Sequence, residues 1–156
     1  MAPIPAVERF VAAAAGLGLT PVIKTFPKDT RTAQQAADAL GCELGQIVKS
    51  LIFKAGHDLV LVLTSGVNRV DESKAAPLFG VDKLGKANAD DARAATGFAI
   101  GGIPPFGHPT PLCTVIDTDL LGWETVWAAA GAPDAVFQIE PGALAEITNA
   151  TRAAVS

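Results

Sequence analysis

The chain has 156 residues, a length typical of one domain with a buried core. Hydrophobic residues make up 49% of it and charged residues 18%, a composition that excludes a disordered or fibrous chain. The net charge is −4 and no run of Lys or Arg stands out, so any nucleic acid must be bound by a few local cations.

The two cysteines, Cys42 and Cys113, lie far apart in the sequence and match no metal-ligand spacing. This spacing is typical of reduced thiols in a cytoplasmic protein. No apolar run has the length of a membrane span, and the first residues do not resemble a targeting segment. We therefore expect a cytoplasmic protein without a membrane partner.

The first part of the chain predicts a helix, a strand and a second helix. Periodic apolar residues indicate a helix over residues 7–17, and residues 21–26 form a β-rich run between two prolines that is typical of an outer strand. Thr30 or Thr32 can cap a helix over residues 32–40, which Gly41 ends.

A strand predicted over residues 46–54 contains the most informative residue, Lys49. Because side chains alternate between faces, Lys49 lies on the more apolar face with Ile47, Leu51 and Phe53. A lysine there must extend to solvent, find a partner or line a cavity, where its three donors would face an anion or a hydroxyl. The alternative is that the opposite face is the core and Lys49 is solvated.

The middle and end of the chain predict further strands and short helices. The turn at residues 56–58 predicts an antiparallel hairpin between residues 46–54 and a central strand over 59–64. After the loop 64–68, which contains Ser65 and Asn68, the pattern indicates helices over 72–79 and 90–96, strands over 112–117, 124–128 and 135–139, and a helix starting at Pro141. This order predicts a single α/β (α+β) domain with a mixed, largely antiparallel sheet flanked by helices.

The loop over residues 98–110 holds three glycines and three prolines yet remains apolar. Such a segment cannot form a helix or a central strand, but it can hold one shape with its backbone accessible. Gly101 and Gly102 allow a ligand to approach the main chain, and Pro104 and Pro105 fix the following turn. The alternative is a packed surface crossover without a function of its own.

Several common catalytic motifs are missing from the sequence. It contains no phosphate-binding GxxxxGK[ST] loop, no GxSxG or HExxH motif, and no Cys/His cluster with zinc-ligand spacing. What remains is a site without metal or cofactor, built from lysine, loop amides and hydroxyl groups.

Five segments together resemble the YbaK/EbsC family, the free-standing relatives of the editing domain inserted in bacterial prolyl-tRNA synthetase. The resemblance spans roughly residues 25–148 of the single domain 1–156. It rests on residues 32–41, 46–53, 66–71 and 101–107 and on a tail made of 126–131 and 136–139. Its two most specific motifs are the lysine in Gln46-Ile-Val-Lys49-Ser-Leu51 and the Gly-Gly-x-Pro-Pro-x-Gly loop over 101–107.

The resemblance implies trans-editing, which is hydrolysis of the ester of a mischarged aminoacyl-tRNA. Lys49 would hold the terminal adenosine or its phosphate, and main-chain N–H groups at Gly101 and Gly102 could donate to the scissile ester. The aminoacyl pocket would be bounded by the rest of the loop: Ile100, Ile103, Pro104, Pro105, Phe106, Gly107 and His108. Less direct candidates are Thr30, Ser65, Asn68 and Asp117, and Asp117 can equally be a helix cap.

The implied substrate is the acceptor end of tRNA for proline carrying alanine, cysteine, serine, threonine or 2-aminobutyrate. Prolyl-tRNA synthetase is a candidate partner, and the acidic net charge predicts few phosphate contacts and a shallow salt dependence. Two other classes stay open: a module that binds aminoacyl-tRNA or nucleotide without turnover, and a hydrolase of small molecules. The sequence leaves the oligomeric state open.

Overall fold

The computed structural model describes residues 5–26 and 32–156. Its helices are α1 (Ala6–Gly16), α2 (Ala33–Leu40), α3 (Glu72–Ala75), α4 (Ala89–Thr96) and α5 (Pro141–Thr148). Its strands are β1 (Ile23–Thr25), β2 (Val48–Ala55), β3 (Asp58–Ser65), β4 (Gly85–Lys86), β5 (Cys113–Asp117), β6 (Val126–Ala129), β7 (Ala135–Ile139) and β8 (Thr151–Ala153). Short 3-10 turns cover Leu44–Gln46, Ala76–Phe79 and Thr118–Gly122.

Across the described ranges the strands form two sheets. The larger sheet has the order β4-β2-β3-β5-β8, and the smaller one has the order β1-β7-β6. Strand pairing is antiparallel except that β5 pairs in parallel with both of its neighbours, β3 and β8. A single bridge between Ile47 and Trp127 connects the two sheets. The predicted fold class, one α/β (α+β) domain with mixed and largely antiparallel pairing, is confirmed.

The predicted hairpin is also confirmed. Ala55 pairs with Asp58, so Gly56 and His57 form a two-residue loop, and Gly56 has the positive φ of 66° that such a loop requires. β3 lies at the centre of the larger sheet, as its apolar residues predict. A buried strand of this kind needs apolar side chains on both faces.

Both faces of the larger sheet are in fact buried. One face, with Leu61, Leu63 and Ile116, packs against the smaller sheet, α1, α5 and a group of aromatic rings. In that group the rings of Phe10, Phe106 and Phe137 have centroids 4.8–5.7 Å apart. The opposite face packs against α3 and the C-terminal residues, chiefly through Val60, Val62, Val115, Leu84 and Val155. The sheet is therefore the middle layer of the domain.

Local sequence signals explain most of the element boundaries. The Thr32 hydroxyl accepts a hydrogen bond from the Gln35 N–H at the start of α2, and Gly41 ends that helix with a φ of 69°. The other proposed cap, Thr30, lies outside the described residues. The predicted helix over 72–79 continues beyond Ala75 only as a 3-10 turn, because Pro77 has no N–H to donate.

Cys42 and Cys113 are both free thiols. Within residues 5–26 and 32–156, no helix combines the length and the hydrophobicity needed to cross a membrane.

Candidate active site

The candidate site is a cleft along the free edge of β2. On one side β3 pairs with the whole of β2. On the other side β4 pairs only with Phe53 and Lys54, and β6 forms a bridge only with Ile47. Residues 48–51 therefore pair with no strand on that side in the described structure. An edge of this kind leaves main-chain N–H and C=O groups accessible.

The cleft has a volume of about 300 Å³ and is mainly apolar. Ile47 clusters with Ala36 of α2, whereas Val48 belongs to a cluster that includes Ile103 of the Gly/Pro loop. Because neighbouring side chains along a strand point to opposite faces, α2 and the loop lie on opposite sides of the edge. The remaining lining comes from the smaller sheet and its turn, through Trp127, Ala129, Pro133 and Val136.

Lys49 lines this cleft and is half-buried. Its ammonium group donates a hydrogen bond to the main-chain oxygen of Asn68 at 2.6 Å. Burial lowers the pKa of Lys49, nearby Arg69 lowers it further, and the negative charge of Asp117 acts in the opposite direction. Of the alternatives for Lys49, the structure shows a lysine that has a main-chain partner and lines a cavity.

A buried carboxylate, Asp117, organises the loop that holds Lys49. Its Oδ2 accepts hydrogen bonds from the Thr64 hydroxyl at 3.0 Å, the Ser65 N–H at 3.1 Å and the Asn68 amide at 2.8 Å. Its Oδ1 accepts the Asp119 N–H at 3.0 Å, which is the cap that the sequence suggests. Burial raises the pKa of Asp117, but the hydrogen bonds outweigh burial and leave the pKa below its usual value.

Asn68 connects this carboxylate to the lysine. Its side-chain NH₂ group donates to the carboxylates of Asp117 and of Asp119, the latter at 2.6 Å. Its main-chain carbonyl accepts the hydrogen bond from the Lys49 ammonium. Ser65 donates its hydroxyl to the Gly45 carbonyl at 2.8 Å. Ser65, Asn68 and Asp117 thus lie behind Lys49 and position it, rather than lining the cleft.

The two adjacent glycines of the Gly/Pro loop have different positions. Gly101 lines the cleft with a φ of 93°, a conformation that L side chains rarely adopt. Gly102 is buried, and a Cβ atom there would lie 2.7–2.9 Å from main-chain atoms of Ala132. Its N–H donates to the Ala99 carbonyl at 3.0 Å. Gly102 therefore serves close packing in this structure, and of the two glycines only Gly101 lines the cleft.

The second half of the loop turns away from Lys49. Pro104, Pro105 and Phe106 are buried, and Phe106 belongs to the aromatic group of the core. Pro105, Phe106, Gly107 and His108 line a separate cavity of about 250 Å³. Of the pocket residues predicted from this loop, only Ile100, Gly101 and Ile103 share the cleft with Lys49.

His108 is tied to the loop itself. Its Nε2 is 2.8 Å from the Pro104 oxygen, and burial lowers its pKa while this hydrogen bond partly offsets the effect. A neutral imidazole can donate one N–H to the carbonyl, so the contact fixes the turn after the two prolines.

The sequence-based prediction missed several features of the cleft. The free edge of β2, the contribution of Trp127, Ala129 and Val136, and the position of Ser50 all depend on contacts between distant segments. Ser50 was nevertheless visible beside Lys49, on the strand face that also carries Val48 and Ile52. Across residues 5–26 and 32–156, no group of three or more His, Cys, Asp or Glu side chains could hold a metal ion.

The fold and the cleft define a small α/β domain with a lysine and a Gly/Pro loop at the edge of a strand. The family model for the aminoacyl-tRNA editing domain matches residues 27–147, and the chain belongs to this family. The resemblance to the YbaK/EbsC group is thereby confirmed.

Individual relatives agree with this assignment. EbsC of Enterococcus faecalis, named as a candidate Cys-tRNA(Pro)/Cys-tRNA(Cys) deacylase, is 29% identical over 134 residues, covering 79% of this chain and 80% of EbsC. A solved structure described as a candidate trans-editing enzyme for prolyl-tRNA synthetase is 44% identical, with a TM-score of 0.93 over 99% of both chains. Proline–tRNA ligase of Limosilactobacillus fermentum is 34% identical over 108 residues, which span 66% of this chain but only 18% of the ligase.

Proposed function

We propose that this protein is a trans-editing deacylase that hydrolyses the ester of a mischarged aminoacyl-tRNA. One observation supports this function best: Lys49 and Gly101, which come from distant segments, line the same cleft. The relatives named for deacylation or trans-editing support the same reaction. We further propose that the substrate is tRNA for proline that carries a small non-cognate amino acid.

The proposed reaction needs one positive charge and one main-chain contact from the protein. Lys49, already bound to the Asn68 carbonyl, would use its remaining N–H donors on the terminal adenosine or its phosphate. Partial burial strengthens that interaction because the effective dielectric constant is lower than in water. Gly101 would contact the ester, where a main-chain N–H stabilises negative charge that develops on the carbonyl oxygen.

The bond changes are those of ester hydrolysis. A water molecule, activated by a hydroxyl of the substrate, attacks the carbonyl carbon; the bond to the ribose oxygen breaks, and that oxygen takes up a proton. The proposed reaction uses no metal and no cofactor, since Lys49 supplies the positive charge.

The lining of the cleft supports a small aminoacyl group. Ile100 and Ile103, which line the cleft on the side of the Gly/Pro loop, are both apolar. A pocket of this type rejects a larger side chain by steric clash but discriminates poorly between groups that differ by one methyl. Alanine, cysteine, serine, threonine and 2-aminobutyrate therefore all remain candidates.

The proposed partners follow from the substrate. The protein would contact the acceptor end of the tRNA in the cytoplasm, and prolyl-tRNA synthetase is the enzyme whose errors it would correct. Whether the two proteins associate can be tested by co-purification from a mixture of the purified proteins with and without tRNA.

The direct test is deacylation of tRNA for proline charged separately with each of the five amino acids and with proline. We expect hydrolysis of one or two of the non-cognate esters and none of prolyl-tRNA. Lack of hydrolysis of every non-cognate ester would refute the proposed function.

A second candidate function is binding of aminoacyl-tRNA without turnover. One observation favours it: among the described residues that line the cleft there is no Asp, Glu or His to act as a general base. Tight binding of aminoacyl-tRNA with no acceleration of hydrolysis would identify this function.

A further inference from the structure

The cleft contains a hydroxyl group that has no hydrogen-bond partner among the described residues. Ser50 Oγ is buried, and within the described structure it has no hydrogen-bond partner. The buried hydroxyls of Thr64, Ser65 and Thr96 all have partners. A buried polar group without a partner destabilises a fold, so this hydroxyl indicates a site where a bound molecule completes the hydrogen bonding.

Ser50 lies at the middle of the free edge of β2. It lines the cleft with Lys49 and also a neighbouring cavity of about 260 Å³ that extends toward β4. Ile100 and Ile103 line both cavities, so the two form one continuous surface against the loop. The Ser50 side chain points to the same face as Val48, which packs with Ile103, whereas the Lys49 side chain points to the other face.

The main chain of Ser50 points to the same edge. The Gly66 N–H donates to the Ile47 carbonyl at 2.8 Å, which extends the β2–β3 register by one position. In an antiparallel pair, alternate residues direct both main-chain groups to the same neighbour. Lys49 and Leu51 therefore face β3, and the carbonyl of Ser50 faces the free edge.

We propose that Ser50 binds the α-ammonium group of the aminoacyl ester through its hydroxyl and its main-chain carbonyl. This inference rests on the proposed function. An ammonium group has only donors and requires acceptors, yet the described lining of the cleft contains no carboxylate. The Thr32 hydroxyl already accepts the Gln35 N–H at 3.1 Å. Among the described residues that line the cleft, Ser50 offers an unpartnered hydroxyl and a main-chain carbonyl at the free edge.

This assignment divides the substrate between the two faces of β2. Lys49 takes the nucleotide end on the face of α2, and Ser50 takes the aminoacyl end on the face of the Gly/Pro loop. The separation keeps the ammonium group of the substrate away from the Lys49 ammonium, since the latter is directed to the Asn68 carbonyl. It also places the aminoacyl group beside Gly101, Ile100 and Ile103.

The test compares two substrates that differ only in the group that Ser50 would bind. One is tRNA for proline carrying the amino acid that the wild type hydrolyses, and the other carries the matching α-hydroxy acid, in which a hydroxyl replaces the ammonium group. The value of kcat/KM is measured on both with the wild type, Ser50→Ala and the exposed control Ser73→Ala. For each substrate, kcat/KM of the variant is divided by kcat/KM of the wild type. This ratio does not depend on how readily each ester hydrolyses by itself.

We expect Ser50→Ala to lower kcat/KM about 10- to 100-fold on the aminoacyl ester, the effect of losing a hydrogen bond to a charged group. On the hydroxyacyl ester we expect a loss of less than about 3-fold, and Ser73→Ala should match the wild type on both substrates. An equal loss on both substrates, or no loss on either, would overturn the role of Ser50 and leave the proposed function intact. Absence of hydrolysis by the wild type would instead refute the proposed function and this assignment with it.

Discussion

Replacing Asp117 with asparagine removes the charge of this buried carboxylate while nearly keeping its shape. Asp117 is only 1% exposed, and its Oδ2 accepts three hydrogen bonds while its Oδ1 accepts one. An asparagine can keep its carbonyl oxygen at the Oδ2 position, but its NH₂ group then faces the N–H of Asp119. The hydrogen bond from the Asp119 N–H is lost, and the other three hydrogen bonds no longer have a charged acceptor.

These contacts determine how far the substitution lowers the free energy of unfolding. A hydrogen bond to a charged group contributes about 1.5–3 kcal/mol and a neutral one about 0.5–1.5 kcal/mol. The amide avoids the desolvation cost of the carboxylate, which offsets part of the loss. We therefore expect Asp117→Asn to lower the free energy of unfolding by about 2–4 kcal/mol, a large fraction of the total for a small domain.

Urea unfolding at several pH values tests this reasoning. The native-state pKa of Asp117 lies below its ordinary value of 3.8, so its charge stabilises the fold fully above that value, and the benefit is lost as the pH falls through the native pKa. The difference in the free energy of unfolding between wild type and Asp117→Asn should thus have its full size near pH 7 and become smaller in strong acid. The exposed control Asp82→Asn should change stability by less than about 0.5 kcal/mol.

The same variant tests the link to Lys49. Because Asp117 fixes the Asn68 amide and Asn68 holds the lysine, we expect kcat/KM for deacylation to fall about tenfold or more at a temperature where the variant is fully folded. A variant as stable as the wild type at pH 7 would refute the energetic reasoning. A folded, destabilised variant with unchanged kcat/KM would refute the positioning role.

Two further variants test the Gly/Pro loop. Gly102→Ala should destabilise the protein by about 1–3 kcal/mol because its Cβ would overlap main-chain atoms of Ala132. The control Gly142→Ala, whose Cβ would have no atom within 4 Å, should be neutral or slightly stabilising. Equal effects of the two substitutions in urea unfolding would contradict the packing role of Gly102. Burial lowers the pKa of His108 in the folded protein. As the pH falls below about 6.5, the imidazole is protonated more readily in the unfolded state than in the folded state, so the wild type loses stability. His108→Gln should weaken this pH dependence and the exposed His57→Gln should not, and identical pH profiles for all three proteins would show that His108 plays no part.

The elements set by local chemistry were predictable from the sequence. The hairpin follows from the two-residue loop at Gly56 and His57, and the ends of α2 follow from Thr32 and Gly41. Each of these signals acts over a few residues, through a main-chain conformation or a capping hydrogen bond. Local physics alone is enough to define them.

The features that depend on distant contacts were not predictable in the same way. β4 and β8 have only two and three residues and exist because an adjacent strand is present. The two sheets are joined by only one bridge between described residues, Ile47 to Trp127, so most of β2 has a free edge.

The candidate site was predicted in part for the same reason. Lys49 and the Gly/Pro loop were visible as motifs, but only the packing of Phe106 into the core separates the cleft-lining half of the loop from the half that lines the second cavity. Likewise, the Ser50 hydroxyl lacks a partner in the described part of the chain because of its neighbours in space, which the sequence alone does not show.

The central claim is that Lys49 acts on an aminoacyl-tRNA ester in the cleft, and single-turnover deacylation tests it most directly. The assay compares wild type, Lys49→Ala and Lys54→Ala on the best non-cognate substrate. Lys54 lies on the same strand, but it is exposed and pairs with Asp91 at 3.2 Å, a surface contact that contributes little. We expect Lys49→Ala to lower the rate constant about 10²- to 10³-fold and Lys54→Ala to leave it unchanged. Equal rate constants for the wild type and Lys49→Ala would contradict the claim.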